Sequence, residues 1–194
     1  MAYAEISPSS FLYNLNLIKQ FVSQDVKLLL MSKANAYGHG LLSLAPYLNA
    51  GDGVGLSRFD AAVNLRSQGF LGRIVMMRGF STAEELQCCV DFCLTPMIHH
   101  ESQIVRLSKC HQVFQLDCWI KVNTGMCRLG FSADKFEINY LKLLSLPCVN
   151  SESLVVTTHL SSADDVDQER SQLQLNLFSC LTANVTSDRS VCNS

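Results

Sequence analysis

Val26-Lys27-Leu28-Leu29-Leu30-Met31-Ser32-Lys33-Ala34-Asn35-Ala36-Tyr37-Gly38-His39-Gly40 is the stretch on which the reading of the fold turns. Val26 to Leu30 is a short apolar run of the kind that forms a strand buried on both faces. The second half carries glycines at 38 and 40 and reads as a loop. Lys33 stands where strand gives way to loop. In a βα-barrel the carboxyl ends of the strands are where chemistry is placed. A lysine there is either an ordinary solvated cation or an amine that desolvation can deprotonate, ready to form a Schiff base with a carbonyl.

Outward from this stretch, strand and helix signals alternate. Ser7-Pro8 predicts a helix start, and Phe11, Leu15, Ile18 and Val22 continue it to about Ser23. Further strands are expected at Val54–Ser57, Arg73–Met77, Phe92–Leu94, within Val113–Val122, at Ser153–Thr158 and at Ser190–Cys192. Helices are expected between them. They include one capped by Thr82, one over His99–Cys110, one from Ala133 to about Ser145, and one from Gln168 to about Leu181 with Leu173, Leu177 and Leu181 on its apolar stripe. This alternation predicts an α/β fold with a parallel sheet and crossover helices. Seven strand candidates in series favour a (β/α)8 TIM-barrel type over a doubly wound sheet, and no G-x-G-x-x-G follows the first strand. No linker divides the chain, so residues 1–194 read as one barrel domain. A closed barrel takes eight strands and about 250 residues, so this one is expected to be incomplete and, expressed alone, poorly soluble.

Composition narrows the function. The chain has 194 residues, 48% hydrophobic and 16% charged, with a formal net charge of -2. Nothing basic invites nucleic acid. No apolar run has the length of a membrane span, and no secretory signal opens the sequence, so a cytoplasmic protein is expected. Nine cysteines without paired C-x-x-C spacing argue for a reduced chain rather than zinc or a disulfide framework, and no metal site is expected. Asn184-Val185-Thr186 fits a glycosylation acceptor but means little without a secretory signal.

Two later stretches also fall at strand ends. Lys121-Val122-Asn123-Thr124-Gly125-Met126-Cys127-Arg128-Leu129-Gly130-Phe131 contains an arginine whose planar fork suits a carboxylate or phenolate oxygen, or simply a surface ion pair. Thr158-His159-Leu160-Ser161-Ser162-Ala163-Asp164 contains a histidine that could serve a cofactor or a local hydrogen bond. Together with Lys33-Ala34-Asn35-Ala36-Tyr37-Gly38-His39-Gly40, these stretches resemble the motifs of the bacterial alanine racemase family, fold-type III pyridoxal-phosphate enzymes. The resemblance spans nearly the whole chain.

The resemblance implies roles that spacing alone does not. Lys33 would be the catalytic lysine that carries pyridoxal 5'-phosphate, and Tyr37 would hydrogen-bond the phosphate. Arg128 would meet the cofactor's phenolic oxygen and the substrate carboxylate. Lys121 matches a lysine carbamylated in several members, which then orients the arginine. Asn123 stands where many members have Asp. His159 would lie against the pyridine ring, and His39 and Gly40 would shape the lysine loop. Val191-Cys192-Asn193-Ser194 is similar to the start of the family's phosphate segment, making Asn193 and Ser194 phosphate neighbours; His99, His100 and His111 read as structural. The implied activity is interconversion of L- and D-alanine, an isomerase reaction that supplies D-alanine for peptidoglycan or serves alanine catabolism. The implied state of the full-length parent is a homodimer. The family's second acid–base group is a tyrosine from the partner subunit's C-terminal β-domain. That domain, and the arginine facing the pyridine nitrogen, lie beyond this sequence, so the 194 residues alone are expected not to racemise. The alternatives are a related barrel enzyme with the same cofactor (a broad-specificity racemase or a decarboxylase), a non-catalytic pyridoxal-phosphate-binding barrel, or a pseudogene product.

Overall fold

The structure, a computed structural model, describes residues 5–23, 25–48, 51–110 and 114–191. It forms two compact units, Met1–Met77 and Arg78–Ser194, each built on a parallel sheet.

In the first unit, Ser7 caps the opening helix by accepting from the Ser10 N–H at 3.2 Å. Pro8 fills the first helical position, where a missing N–H costs nothing. The helix Pro8–Phe21 buries Leu15. Strands β1 (Leu29–Met31), β2 (Gly53–Leu56) and β3 (Arg73–Met76) then pair in sequence order, with Leu29 opposite Gly53 and Gly53 opposite Arg73. The helix Phe59–Ser67 joins β2 to β3 and buries Ala62 and Leu65. β1 begins later than the apolar run predicts. Val26 is exposed, and the Leu28 N–H is drawn to Asp52 Oδ1 at 3.0 Å. The other oxygen of this buried carboxylate takes Lys19 Nζ at 2.5 Å, fastening the first helix to the mouth of β1.

The second unit carries β4 (Thr95–Ile98), β5 (Trp119–Lys121), β6 (Val155–Thr157) and β7 (Asp188–Ser190), again parallel and in sequence order. Helices Ala83–Asp91, Glu101–Ser108, Ala133–Leu144 and Glu169–Leu181 belong to it. Thr82 caps the first of these as expected, its hydroxyl accepting from the Glu85 N–H at 3.2 Å. Ile98, Ile120, Val156, Phe136 and Leu143 are within 1% of full burial.

Four expectations shift here. Phe92 and Cys93 end a helix instead of forming a strand, with Cys93 in left-handed backbone at φ 49°. The strand lies at Thr95–Ile98 and includes Pro96; Met97 and Ile98 carry its ladder to β5, so the proline's missing donor is not called on there. Of Val113–Val122 only Trp119–Lys121 is strand, Leu116 makes an isolated bridge to Val149, and Val113 lies outside the described residues. β7 closes at Ser190, and Cys192 likewise lies outside. On the helix Glu169–Leu181 the buried row is Ser171, Gln174 and Phe178, while Leu173 and Leu177 face outward.

The fold is therefore α/β of the parallel βα-barrel type, with seven strands among the described residues. No helix among those residues is long and apolar enough to cross a membrane. The eight described cysteines are free, and burial pushes the Cys89, Cys118 and Cys148 thiols up.

Candidate functional site

Each unit brings its candidate residues to the carboxyl ends of its strands. In the first unit Ser32 extends the β1 ladder by one bond, its N–H donating to Gly55 O at 2.9 Å, and Lys33 follows. The chain then makes a left-handed turn. Ala34, Asn35, Ala36 and Tyr37 all have φ between 50° and 56°, followed by Gly38 at 87°. Left-handed backbone costs an L-residue roughly 1–2 kcal/mol, so four in succession store several kcal/mol that the surroundings must offset. A dense set of bonds holds the turn. Ala36 N–H donates to Ser32 O, Gly38 N–H to Ala34 O, His39 N–H to Ala36 O and Gly40 N–H to Asn35 O, each at 3.0 Å. Asn35 Oδ1 accepts from the Leu41 N–H at 2.9 Å, and His39 Nδ1 donates to Ala36 O at 2.8 Å. Strain of this kind gathers where function needs a side chain in one place.

The turn presents Lys33 and Tyr37 outward. Lys33 Nζ stands 5.7 Å from the centre of the Tyr37 ring, within cation–π reach. Among the described residues the Lys33 amine has no hydrogen bond or ion pair and the Tyr37 hydroxyl no hydrogen bond. A cavity of about 520 Å³ borders the turn, lined by Phe11, Leu30, Ser32, Ala36 and His39 among others. Lys33 and Tyr37 are not among the residues that line it.

In the second unit Lys121 closes β5 and is only 7% exposed. Burial, and secondarily the charge of Arg128, hold its ammonium below the ordinary lysine range. The loop after it is pinched shut by the Asn123 N–H donating to Phe131 O at 2.8 Å and the Phe131 N–H to Lys121 O at 2.9 Å. Asn123 Oδ1 accepts from Gly125 N–H and Cys127 N–H, both at 3.0 Å. A carboxylate there could accept the same two bonds, so Asn123 serves as the loop's internal brace without the charge. Arg128, further along the loop, is exposed and has no hydrogen bond or ion pair among the described residues.

His159 follows β6 and is half-buried. Thr158 before it donates to Val122 O at 3.0 Å and lies 2.7 Å from the Thr124 hydroxyl. The residue that sequence reading missed is Gln174. Its Nε2 donates to Thr124 Oγ1 at 3.1 Å and to His159 O at 3.0 Å, and its Oε1 accepts from the Ser161 N–H at 2.9 Å. A glutamine on the same helical row as Ser171 and Phe178 was the available signal, masked by the neighbouring leucines. His99 and His100, read as structural, are both hydrogen-bonded within the second unit. His99 Nε2 donates to Arg78 O at 2.9 Å, and His100 caps the helix Glu101–Ser108. Asn193, Ser194 and His111 lie outside the described residues.

Reactive groups gathered at strand carboxyl ends are the habit of βα-barrel proteins, and this fold and these residues define that class. Comparison supplies the family. Residues 6–194 match the profile of the alanine racemase N-terminal domain, and the chain belongs to that family. It is 37% identical over 196 residues to an alanine racemase of Shewanella denitrificans and 35% identical over 192 residues to one of Shewanella loihica. In each case it covers 98% of itself and 53% of the relative. Among solved structures it is similar to alanine racemase from Acinetobacter baumannii, with TM-score 0.84, 31% identity, and 97% and 56% of the two chains covered. It is also similar to the biosynthetic enzyme of Pseudomonas aeruginosa, with TM-score 0.85, 25% identity, and 95% and 51% covered. The chain spans about half the length of the relatives it matches.

Proposed function

We propose that this chain is the barrel domain of an alanine racemase, interconverting L- and D-alanine with pyridoxal 5'-phosphate. The observation that carries the reading is the strained left-handed turn that sets Lys33 and Tyr37 side by side with their polar groups unspent. The residues fit the cofactor. Lys33 offers an amine for its aldehyde, Tyr37 a hydroxyl for its phosphate and Arg128 an uncommitted guanidinium for an anionic oxygen. By resemblance, Asn193 and Ser194 would be further phosphate neighbours.

When bound, the cofactor supplies an electron sink that makes the α-proton of an amino acid removable. The chain's own residues then have separable tasks. Lys33 Nζ would hold the cofactor and, as a free amine, would move a proton to or from the substrate Cα on one face. Arg128 holds the alanine carboxylate through its planar fork. Lys121, whose buried amine is biased toward its neutral form, is the form of lysine that takes up CO₂ as a carbamate. Its new negative charge would orient Arg128 in place of the carboxylate that Asn123 lacks. His159, half-buried after β6, would help hold the cofactor. The whole protein works in this reading as a cytoplasmic homodimer, with the acid–base group for the opposite face coming from the partner.

The test is an absorption titration with pyridoxal phosphate followed by borohydride reduction and peptide mass spectrometry. The wild type should gain a visible or near-ultraviolet band and a reduced adduct at Lys33, and Lys33→Ala should show neither. An adduct distributed over other lysines, unchanged in Lys33→Ala, would remove the assignment.

A further inference from the structure

Gln174 is 4% exposed and spends its whole hydrogen-bonding capacity. Its amide orientation is fixed by its partners. The Ser161 backbone N–H can only donate, at 2.9 Å, and the Ser161 hydroxyl sits 3.0 Å from the same oxygen. The His159 carbonyl can only accept, so Nε2 faces it. The second Nε2 hydrogen goes to Thr124 Oγ1.

From there the direction of each bond follows. The Thr158 hydroxyl hydrogen is committed to Val122 O, so Thr158 Oγ1 accepts from the Thr124 hydroxyl. A one-way chain runs from Gln174 through Thr124 and Thr158 to Val122, all at 3.1 Å or less. Packing adds an independent tie. Gly125 lies against the Gln174 side chain, and a Cβ there would meet its Cγ at 3.3 Å and Cδ at 3.5 Å. Gly125 also has φ 144°, a conformation an L side chain rarely adopts.

We infer that Gln174 is a positioning residue. From the helix Glu169–Leu181 it locks the loop bearing Arg128 and the turn bearing His159 into one rigid piece. This rests on the roles proposed above for Arg128 and His159. A side chain that merely filled space beneath Gly125 would need no amide. A polar one that only satisfied the His159 turn would not reach across to Thr124. Gln174 does both, so a movement of one loop is carried to the other.

The experiment reads amide hydrogen exchange in the 194-residue chain, reciprocally. Gln174→Met keeps length and bulk but removes the four bonds. It should speed exchange at Gly125 and Cys127 by more than about tenfold, although their own acceptor, Asn123 Oδ1, is untouched. Thr124→Val should speed exchange at Ser161, whose acceptor Gln174 Oε1 is likewise untouched, and Thr124→Ser should restore it. Phe178→Leu, on the same helix and chosen to match the loss in Tm, should leave these amides unchanged relative to the core. With pyridoxal phosphate as probe, half-saturation should rise severalfold in Gln174→Met and not in Phe178→Leu. If each amide responds only to loss of its own acceptor, or if the two variants bind the probe alike, the positioning role is overturned. A wild type that binds no pyridoxal phosphate at Lys33 would instead retire the proposed function, and the reciprocal exchange would still judge the clamp. If Gln174→Met fails to fold, the Thr124→Val and Thr124→Ser pair decides alone.

Discussion

Lys121 is where burial and charge act together on a single side chain. Desolvation is the larger cause and the Arg128 guanidinium the smaller, and both favour the neutral amine. The sign for stability follows by linkage. The folded chain gives up this proton at a lower pH than the unfolded chain does. Between those two values the unfolded state binds more protons, so stability rises with pH. Below the folded value the cost of burying the ammonium is felt in full. The buried thiols of Cys89, Cys118 and Cys148 work the other way, since burial raises them and the unfolded chain loses its thiol protons first. The wild type must therefore be compared with Lys121→Met over the same range. Urea melts between neutral pH and the ordinary lysine range should show the variant gaining most at neutral pH, with the gap narrowing as pH rises. A gap that stayed constant would mean that folding leaves the titration of Lys121 unchanged. In labelled bicarbonate the wild type should also show a carbamate carbon signal absent from the variant.

At the scale of single elements, the loop from Val122 to Phe131 shows how little room its backbone leaves. Gly130 has φ 124°, and a Cβ on it would stand 2.8 Å from Asn123 N and 3.0 Å from the Val122 carbonyl carbon. Those are backbone atoms of the strand exit and cannot step aside. Gly130→Ala should cost about 3 kcal/mol, taking strain at a glycine-only conformation together with the overlap, and should open the Asn123–Phe131 pinch, read as faster exchange at the Asn123 and Phe131 amides. A loss within about 0.5 kcal/mol would show that the loop yields instead. This loop was partly legible in sequence, because Gly125 and Gly130 bracket Arg128 and mark a turn. Elsewhere the legible and the hidden divide along physical lines. Ser7-Pro8 and Thr82 announce their helices because capping is local chemistry. Lys33, Ala34 and Ala36 give no sign of left-handed backbone, since these residue types do not favour it and the bonds that hold it, among them those of Leu41 N–H to Asn35 Oδ1 and His39 Nδ1 to Ala36 O, form only once the turn has closed. Leu173 and Leu177 advertise a buried stripe, yet the helix turns Gln174 inward, where four partners offset the burial of its amide. A hydrophobic pattern ranks faces by apolar content, and here a satisfied polar group outweighs it.

For the molecule as a whole, the sheet edges decide how the chain behaves in solution. β1 and β7 are the terminal strands of the strand order. β1 is half-buried to exposed, and β7 has two exposed residues, Asp188 and Arg189, before Ser190. An unpaired edge offers a row of N–H and C=O groups to any other strand. β7 is guarded by its charged pair, whereas β1 carries only Leu29, Leu30 and Met31. Exposed apolar side chains add to this. Phe21 of the first helix is 81% exposed and Leu173 of the last 62%. Parallel edges and outward leucines find cover in further chain or in another copy, and the chain spans about half the length of the relatives it matches. The 194-residue chain on its own should therefore self-associate, with the β1 edge as the weak point. Sedimentation velocity across a hundredfold concentration range should show the weight-average mass climbing. Leu29→Lys, which places a charge on that edge, should reduce the climb, whereas Arg189→Leu should increase it by stripping the guard from β7. A chain that stays monomeric throughout, with neither substitution having any effect, would mean that its edges are already covered from within.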